Sequence, residues 1–360
     1  VSFFSQNKKE VYRLMQEGLN RGIGSGMAAA WGTLDEITSS SCEFVGYESH
    51  FHHNPITKNS RFDLASLTKV IATTSLFLKW VEAGELDLDA KYPGKEFTFR
   101  QLLNHSSGLP AWKPFYQSMI QKFGDAESLL HVPIENRKKI FYEMVVSDAC
   151  VSNPGQKIVY SDLGFLLLSH YVEQKTGKSF DQVVKAQVWN PIPNCSFEYR
   201  PLLYSRSNES GYVATEWCPW RGLLQGEVHD DNAWSMGGVA GHAGVFGTID
   251  DVLSWIGSLV RGEIATLQTL IEFSKITEDE SGMRRALGFD VPPLDGTGST
   301  ADLFSPLATI GHLGFTGTSV WIDLDQGRFA VLLTNRVHPN RDEMRIRSLR
   351  RAFHQTAFSL

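Results

Sequence analysis

Apolar residues recur at helical spacing near the start of the chain, at Val11, Leu14, Met15 and Leu19, and predict an amphipathic helix. Gly-flanked runs over residues 27–33 and 43–49 read as strands. The far end mirrors this pattern. Two apolar runs, 318–324 and 329–334, are joined by Asp325-Gln326-Gly327, which is hairpin chemistry. Beyond Pro339, Ile346, Leu349, Phe353 and Ala357 share one stripe of a closing helix. Both chain ends are therefore expected to build one antiparallel sheet flanked by the terminal helices. The middle reads differently, with helical patterns over 66–83, 98–104, 135–146, 162–176 and 179–189 separated by Pro- and Gly-bearing loops. The expected architecture is an α/β fold in a single unit: residues 1–65 and 245–360 form the sheet part, and 66–244 an α-rich insertion. No repeat of 20–50 residues and no low-complexity segment is visible.

Composition narrows the function classes. The 360 residues, 42% hydrophobic and 21% charged, are enough for a large core. A formal net charge of −6 without a long Lys/Arg run argues against a nucleic-acid surface and for a small-molecule or peptide partner. Runs such as Phe165-Leu166-Leu167-Leu168 fall far short of the roughly 20 apolar residues of a transmembrane helix. The first residues lack both a basic segment and a cleavable apolar segment, so no signal peptide is read, and a start at Val1 reads as processed or trimmed. Cys42, Cys150, Cys195 and Cys218 show no C-x-x-C pairing, which speaks against zinc or a redox dithiol, while their even number permits disulfides.

The chemistry concentrates in Ser66-Leu67-Thr68-Lys69. Residues three apart share a helix face, so the Lys69 amine can reach the Ser66 hydroxyl within one turn. A serine at a helix N-terminus also has free N–H groups beside it that favour a developing oxyanion. Asp63 is expected to cap this helix, and Val70, Ile71, Leu76, Phe77, Leu78 and Trp80 to form its buried body. Ser5-Gln6-Asn7-Lys8 has the same spacing but no core-forming run directly after it.

Two further elements agree with Ser66. Tyr160-Ser161-Asp162 stands where a loop containing Pro154-Gly155 enters an apolar helix, and no other of the ten tyrosines is followed two residues later by Asn or Asp. A phenol held near an amine can accept or relay a proton, and Asp162 is expected to cap the following helix. His312-Leu313-Gly314 precedes the first C-terminal strand, where a glycine lets a substrate backbone lie against the strand edge and the next N–H can complete an oxyanion hole. Lys175-Thr176-Gly177 is discounted as a helix end and His242-Ala243-Gly244 as part of a Gly-rich loop placed before a helix. That loop, residues 237–244, has no phosphate-cradle ending.

Ser66-x-x-Lys69, Tyr160-x-Asp162 and His312-x-Gly314, in this order, resemble the three-box signature of serine β-lactamases and penicillin-binding proteins, in the class C-like branch that includes D-alanyl-D-alanine carboxypeptidases and β-lactamase-fold esterases. The likeness runs from about Arg61 to about Pro339. It implies a Ser66 acyl-enzyme, Lys69 as proton partner, Tyr160 as shared acid and base, and the N–H groups of Ser66 and Phe315 as oxyanion hole, with no metal or cofactor. It also implies an extracytoplasmic location. Asp162 stands where class C β-lactamases carry asparagine, and His312 and Leu313 where they carry lysine and a hydroxyl residue. An amide donor and a permanent cation are thus missing from the substrate end, and any charge on His312 should fade as pH rises through neutrality. The implied activity is hydrolysis of D-alanyl peptides or small esters, with a weak β-lactamase or a non-catalytic penicillin-recognising module as alternatives. His50, His52 and His53 read as a polar loop, His105 as a bond to a loop backbone behind the site, and residues 227–232 as structural. Trp217, Trp220 and Trp234 either line the cleft or fill the core.

Overall fold

The computed structural model describes residues 7–201, 210–294, 301 and 304–358. The strands of the two larger sheets are β1 (Gly26–Thr33), β2 (Ser41–Gly46), β3 (Phe62–Asp63), β4 (Glu198–Tyr199), β5 (Val245–Gly247), β6 (Thr309–Leu313), β7 (Ser319–Asp323) and β8 (Arg328–Thr334). The main sheet runs β6-β7-β8-β1-β2, antiparallel throughout, so the first and last strands of the chain are neighbours. The register pairs Met27 with Thr334 and Gly32 with Phe329.

Strand periodicity sorts the sheet's side chains between two cores. Ala28 and Ala30 of β1, Val320 and Ile322 of β7, and Val331 and Leu333 of β8 face the larger core. Met27, Ala29, Trp31, Trp321, Ala330 and Leu332 face the smaller one. The smaller core is closed by α1 (Lys8–Asn20), through Val11 and Met15, and by the terminal helix, Ile346–Phe358, through Leu349 and Phe353. Phe353 meets Trp31 edge-on at 6.1 Å. The larger core takes in the helices of the middle of the chain: α2 (Ser75–Glu82), α3 (Ile134–Ser147), α4 (Asp162–Thr176) and α5 (Ile249–Val260). Near-continuous apolar runs such as Phe165 to Leu168 are buried here because α4 is surrounded by protein.

Three elements depart from the sequence pattern. The strand expected over 43–49 is shifted to Ser41–Gly46. Gly46 ends it by taking φ +81, at a point where a Cβ would come within 2.2 Å of the Ser25 carbonyl. The helix expected over 66–83 opens as a 3₁₀ turn, Ala65–Leu67, widens into a π-turn, Lys69–Thr74, and becomes α-helical only at Ser75. Carbonyls of the widened turn find other donors: Ser75 Oγ donates to Val70 O at 2.8 Å and Trp189 Nε1 to Ile71 O at 3.3 Å. The helix expected over 179–189 likewise divides into Phe180–Val184 and a π-turn, Lys185–Trp189. All four cysteines are free thiols.

Candidate active site

Ser66 sits at the junction between β3 and the π-turn. Asp63, the last residue of β3, is not the cap of an α-helix: its buried carboxylate accepts from Ala65 N at 2.8 Å and from His229 N at 2.7 Å. Ala65 is held at φ +47, an uncommon conformation for a residue with a side chain, immediately before Ser66. The turn is fastened from across the molecule. Thr316 Oγ1 donates to Asp63 O at 2.8 Å and Thr318 Oγ1 to Leu64 O at 3.1 Å. Gly314 lies in the same crowded spot, where a Cβ would fall 1.9 Å from Thr318 Oγ1 and 2.9 Å from Leu64 O. Its smallness therefore serves the docking of the strand end against the Ser66 turn.

The π-turn brings Lys69 under Ser66, fully buried. Its Nζ donates to Ser66 Oγ at 2.9 Å and to Tyr160 Oη at 2.7 Å, lies 2.7 Å from Asp162 Oδ1, and approaches His242 O at 3.4 Å. Burial alone would push the lysine down, but the charges and hydrogen bonds of Asp162 and Tyr160 outweigh it and hold Lys69 above its ordinary value. Burial pushes the Tyr160 phenol up to about 12, the nearby Lys69 ammonium opposing and Asp162 and Asp290 adding to the rise. In the resting site Lys69 is thus an ammonium ion and Tyr160 a neutral phenol.

Tyr160 is positioned by the segment around His105. The backbone N–H of Ser161 donates to His105 Nδ1 at 3.0 Å, Val159 N to His105 O at 2.9 Å, and Asp162 N to Ala111 O at 2.9 Å. The cap of α4 is Ser161, whose Oγ accepts from Gly164 N, and Asp162 is the first helical residue. That shift by one position leaves the Asp162 carboxylate available to Lys69. His105 and His312 flank the Tyr160 ring at centroid distances of 4.7 and 5.8 Å.

His312 lies on β6, buried, with Nδ1 2.8 Å from Leu313 O. Burial pushes its imidazole below its ordinary value, Asp290 pulling it back only in part. Phe315 is half-exposed, its ring stacked on His229 and under the Arg336 guanidinium. Its carbonyl accepts from Arg336 Nε at 2.7 Å, while its N–H meets no protein acceptor among the described residues.

The structure thus gathers Ser66, Lys69, Tyr160 and Asp162 around one nitrogen, with His312, Gly314 and Phe315 along the adjoining strand end. Sequence reasoning missed Thr316, Thr318, Arg285, Asp290 and the His242 carbonyl. The His242 loop was discounted as preceding a helix, but it leads first into β5, which pairs with β3 directly before Ser66. Trp234 is buried, whereas Trp217 and Trp220 are exposed.

The antiparallel sheet closed by both chain ends, with a serine, lysine and tyrosine meeting where it joins the helical layer, defines a β-lactamase-type hydrolase fold. The chain belongs to the beta-lactamase family, whose model matches residues 11–355. A protein of Escherichia coli O157:H7 named "Putative D-alanyl-D-alanine carboxypeptidase" is 28% identical over 327 residues, covering 78% of this chain and 70% of that protein. Among solved structures, EstCE1, described as a hydrolase with promiscuous acyltransferase activity, superposes with a TM-score of 0.71 at 17% identity, covering 97% of this chain and all of that one. A penicillin-binding protein from Bacillus halodurans gives 0.67 at 18% identity, covering 90% and 94%. No helix among the described residues is long and apolar enough to cross a membrane.

Proposed function

We propose that the protein is a serine hydrolase that forms an acyl-enzyme on Ser66 and cleaves D-alanyl peptides or small esters. The observation that carries this reading is the single buried amine of Lys69 within hydrogen-bond reach of the Ser66 hydroxyl, the Tyr160 phenol and the Asp162 carboxylate. Ser66 Oγ attacks the substrate carbonyl as its proton passes to Lys69, which releases one of its own to Asp162. Tyr160 gives its proton to the leaving group and is recharged from Asp162 through Lys69, so the net movement is one proton from Ser66 to the leaving group. Water, activated by the same groups in reverse, frees the acid and restores Ser66. The N–H groups of Ser66 and Phe315 receive the oxyanion, each donor contributing roughly 2.7–4 kcal/mol in the transition state.

Labelling with a fluorescent penicillin and with a fluorophosphonate, beside turnover of nitrocefin, a short-chain p-nitrophenyl ester and a D-alanyl-D-alanine peptide, tests this. Ester or peptide turnover is expected to exceed that of nitrocefin, and both labels should disappear in Ser66→Ala. Label retained by Ser66→Ala would remove the nucleophile from this assignment.

A further inference from the structure

The charged side chains that surround Tyr160 come from three parts of the chain and cancel in pairs. Lys69, from the π-turn, is 2.7 Å from Asp162 of α4. Arg285, whose guanidinium lies 5.9 Å from the Tyr160 ring centre, is 3.2 Å from Asp290, and the segment carrying both is strapped to β6 by two hydrogen bonds between Asp290 and Gly311. The remaining titratable neighbours are His105 and His312, and burial pushes both below their ordinary value, against a positive charge.

Two arginines and two hydroxyls at this end of the sheet are engaged elsewhere. Arg350, buried, donates to the carbonyls of Gly314, Gly317 and Thr318. Arg336 donates to Phe315, Arg341 and Glu343 carbonyls. The Thr316 and Thr318 hydroxyls hold the Ser66 turn. A carboxylate brought beside Tyr160 would therefore be a third anion against two cations already paired, in a site too buried for water to screen it well.

We infer that the leaving-group side of this cleft is a subsite for uncharged groups, so that the protein takes esters and carboxamides in preference to acyl donors ending in a free carboxylate. This rests on the Ser66 acyl-enzyme reading above. Asp290 is the specificity-determining residue, because it pairs with Arg285, which with Lys69 lies over the Tyr160 ring. The chemistry is the ordinary one: the bond to an alcohol or amine leaving group breaks, and that group departs with the proton delivered by Tyr160.

The test compares an N-acylated D-alanyl-D-alanine with its own C-terminal amide and methyl ester. For the unaltered protein, kcat/KM for the two neutral forms is expected to exceed that for the acid at least tenfold. Asp290→Asn, which releases Arg285, should raise the acid-to-neutral ratio at least fivefold. An acid turned over as well as the neutral forms overturns the inference, as does a folded Asp290→Asn with an unchanged ratio. The first comparison needs no variant and stands even if Asp290→Asn fails to fold. Fluorophosphonate labelling separates the two claims. If Ser66 is not labelled, the acyl-enzyme reading fails. If it is labelled but neither neutral form is turned over, the substrate inference alone falls.

Discussion

Lys69 Nζ and Asp162 Oδ1 lie 2.7 Å apart, with the lysine wholly enclosed. The pair favours the charged form of the amine that donates to Ser66. Asp162→Asn removes the counter-charge and leaves burial to act on Lys69, so the lysine loses its proton at lower pH than before. The expected outcome is a drop of about 10²-fold in kcat on a p-nitrophenyl ester near neutrality, from loss of the proton acceptor, with the remaining activity rising with pH as Lys69 becomes neutral and can itself take the Ser66 proton. A pH–rate profile of the variant decides this, and an unshifted profile of full height would dismiss the coupling.

Tyr160→Phe keeps the ring between His105 and His312 but removes the only phenol on Lys69 among the described residues. The fold should persist, with turnover reduced by about 10²–10⁴-fold. Because the phenol titrates only near 12, the unaltered protein should show no loss from Tyr160 ionisation below about pH 11. Near-normal steady-state rates for Tyr160→Phe would assign its task to another group.

The turn carrying Ser66 should loosen when its fastening is cut. Thr316→Val leaves the buried Asp63 carbonyl without its hydroxyl donor, at an expected cost of about 1–3 kcal/mol. Gly314→Ala forces a methyl group against Thr318 and Leu64, at a cost of similar size. Each variant should slow fluorophosphonate labelling of Ser66 more than it lowers Tm, which a thermal melt run beside the labelling time course measures. Labelling at the normal rate in both would show that the nucleophile does not need the fastening.

Acid sensitivity should come partly from His338, away from Ser66. Its Nδ1 is 2.6 Å from Thr215 O, and its Nε2 accepts from His50 N at 3.0 Å, so the neutral ring is fully used. Burial lowers it to about 4. A histidine lowered on folding binds fewer protons when folded than when unfolded. Its contribution is therefore complete above about pH 6.5 and is lost as pH falls toward 4, amounting to about 3 kcal/mol. His338→Gln should flatten the stability curve in that window, as measured by denaturant midpoints at several pH values. A curve with the same slope would place the sensitivity elsewhere.

The elements at the chain ends were legible because each rests on a local period: Val11 and Met15 on one helix stripe, and 319–323 and 328–334 on either side of Gly327. Ser66 and Lys69 were legible for the same reason, since three residues of spacing place them together. Partnerships across the chain were not. Nothing near Asp290 in the sequence shows that Arg285 reaches Tyr160, and nothing near Thr316 shows that its hydroxyl points at Asp63. Asp162 was read as a cap because Asp often caps helices, but Ser161 was one residue better placed. His312 was read from its residue type, and its burial, which decides its charge, is a property of the packed sheet.

The hydroxyls of Thr316 and Thr318 meet carbonyls 253 and 254 residues earlier in the chain. If Ser66 is the nucleophile, its reactivity is deferred during synthesis, because the strand ends that hold its turn are made about 250 residues after it. A half-made or C-terminally clipped chain would carry every residue of the Ser66 to Lys69 box and still present an ordinary hydroxyl. Labelling of that serine would thus report that these strand ends have docked.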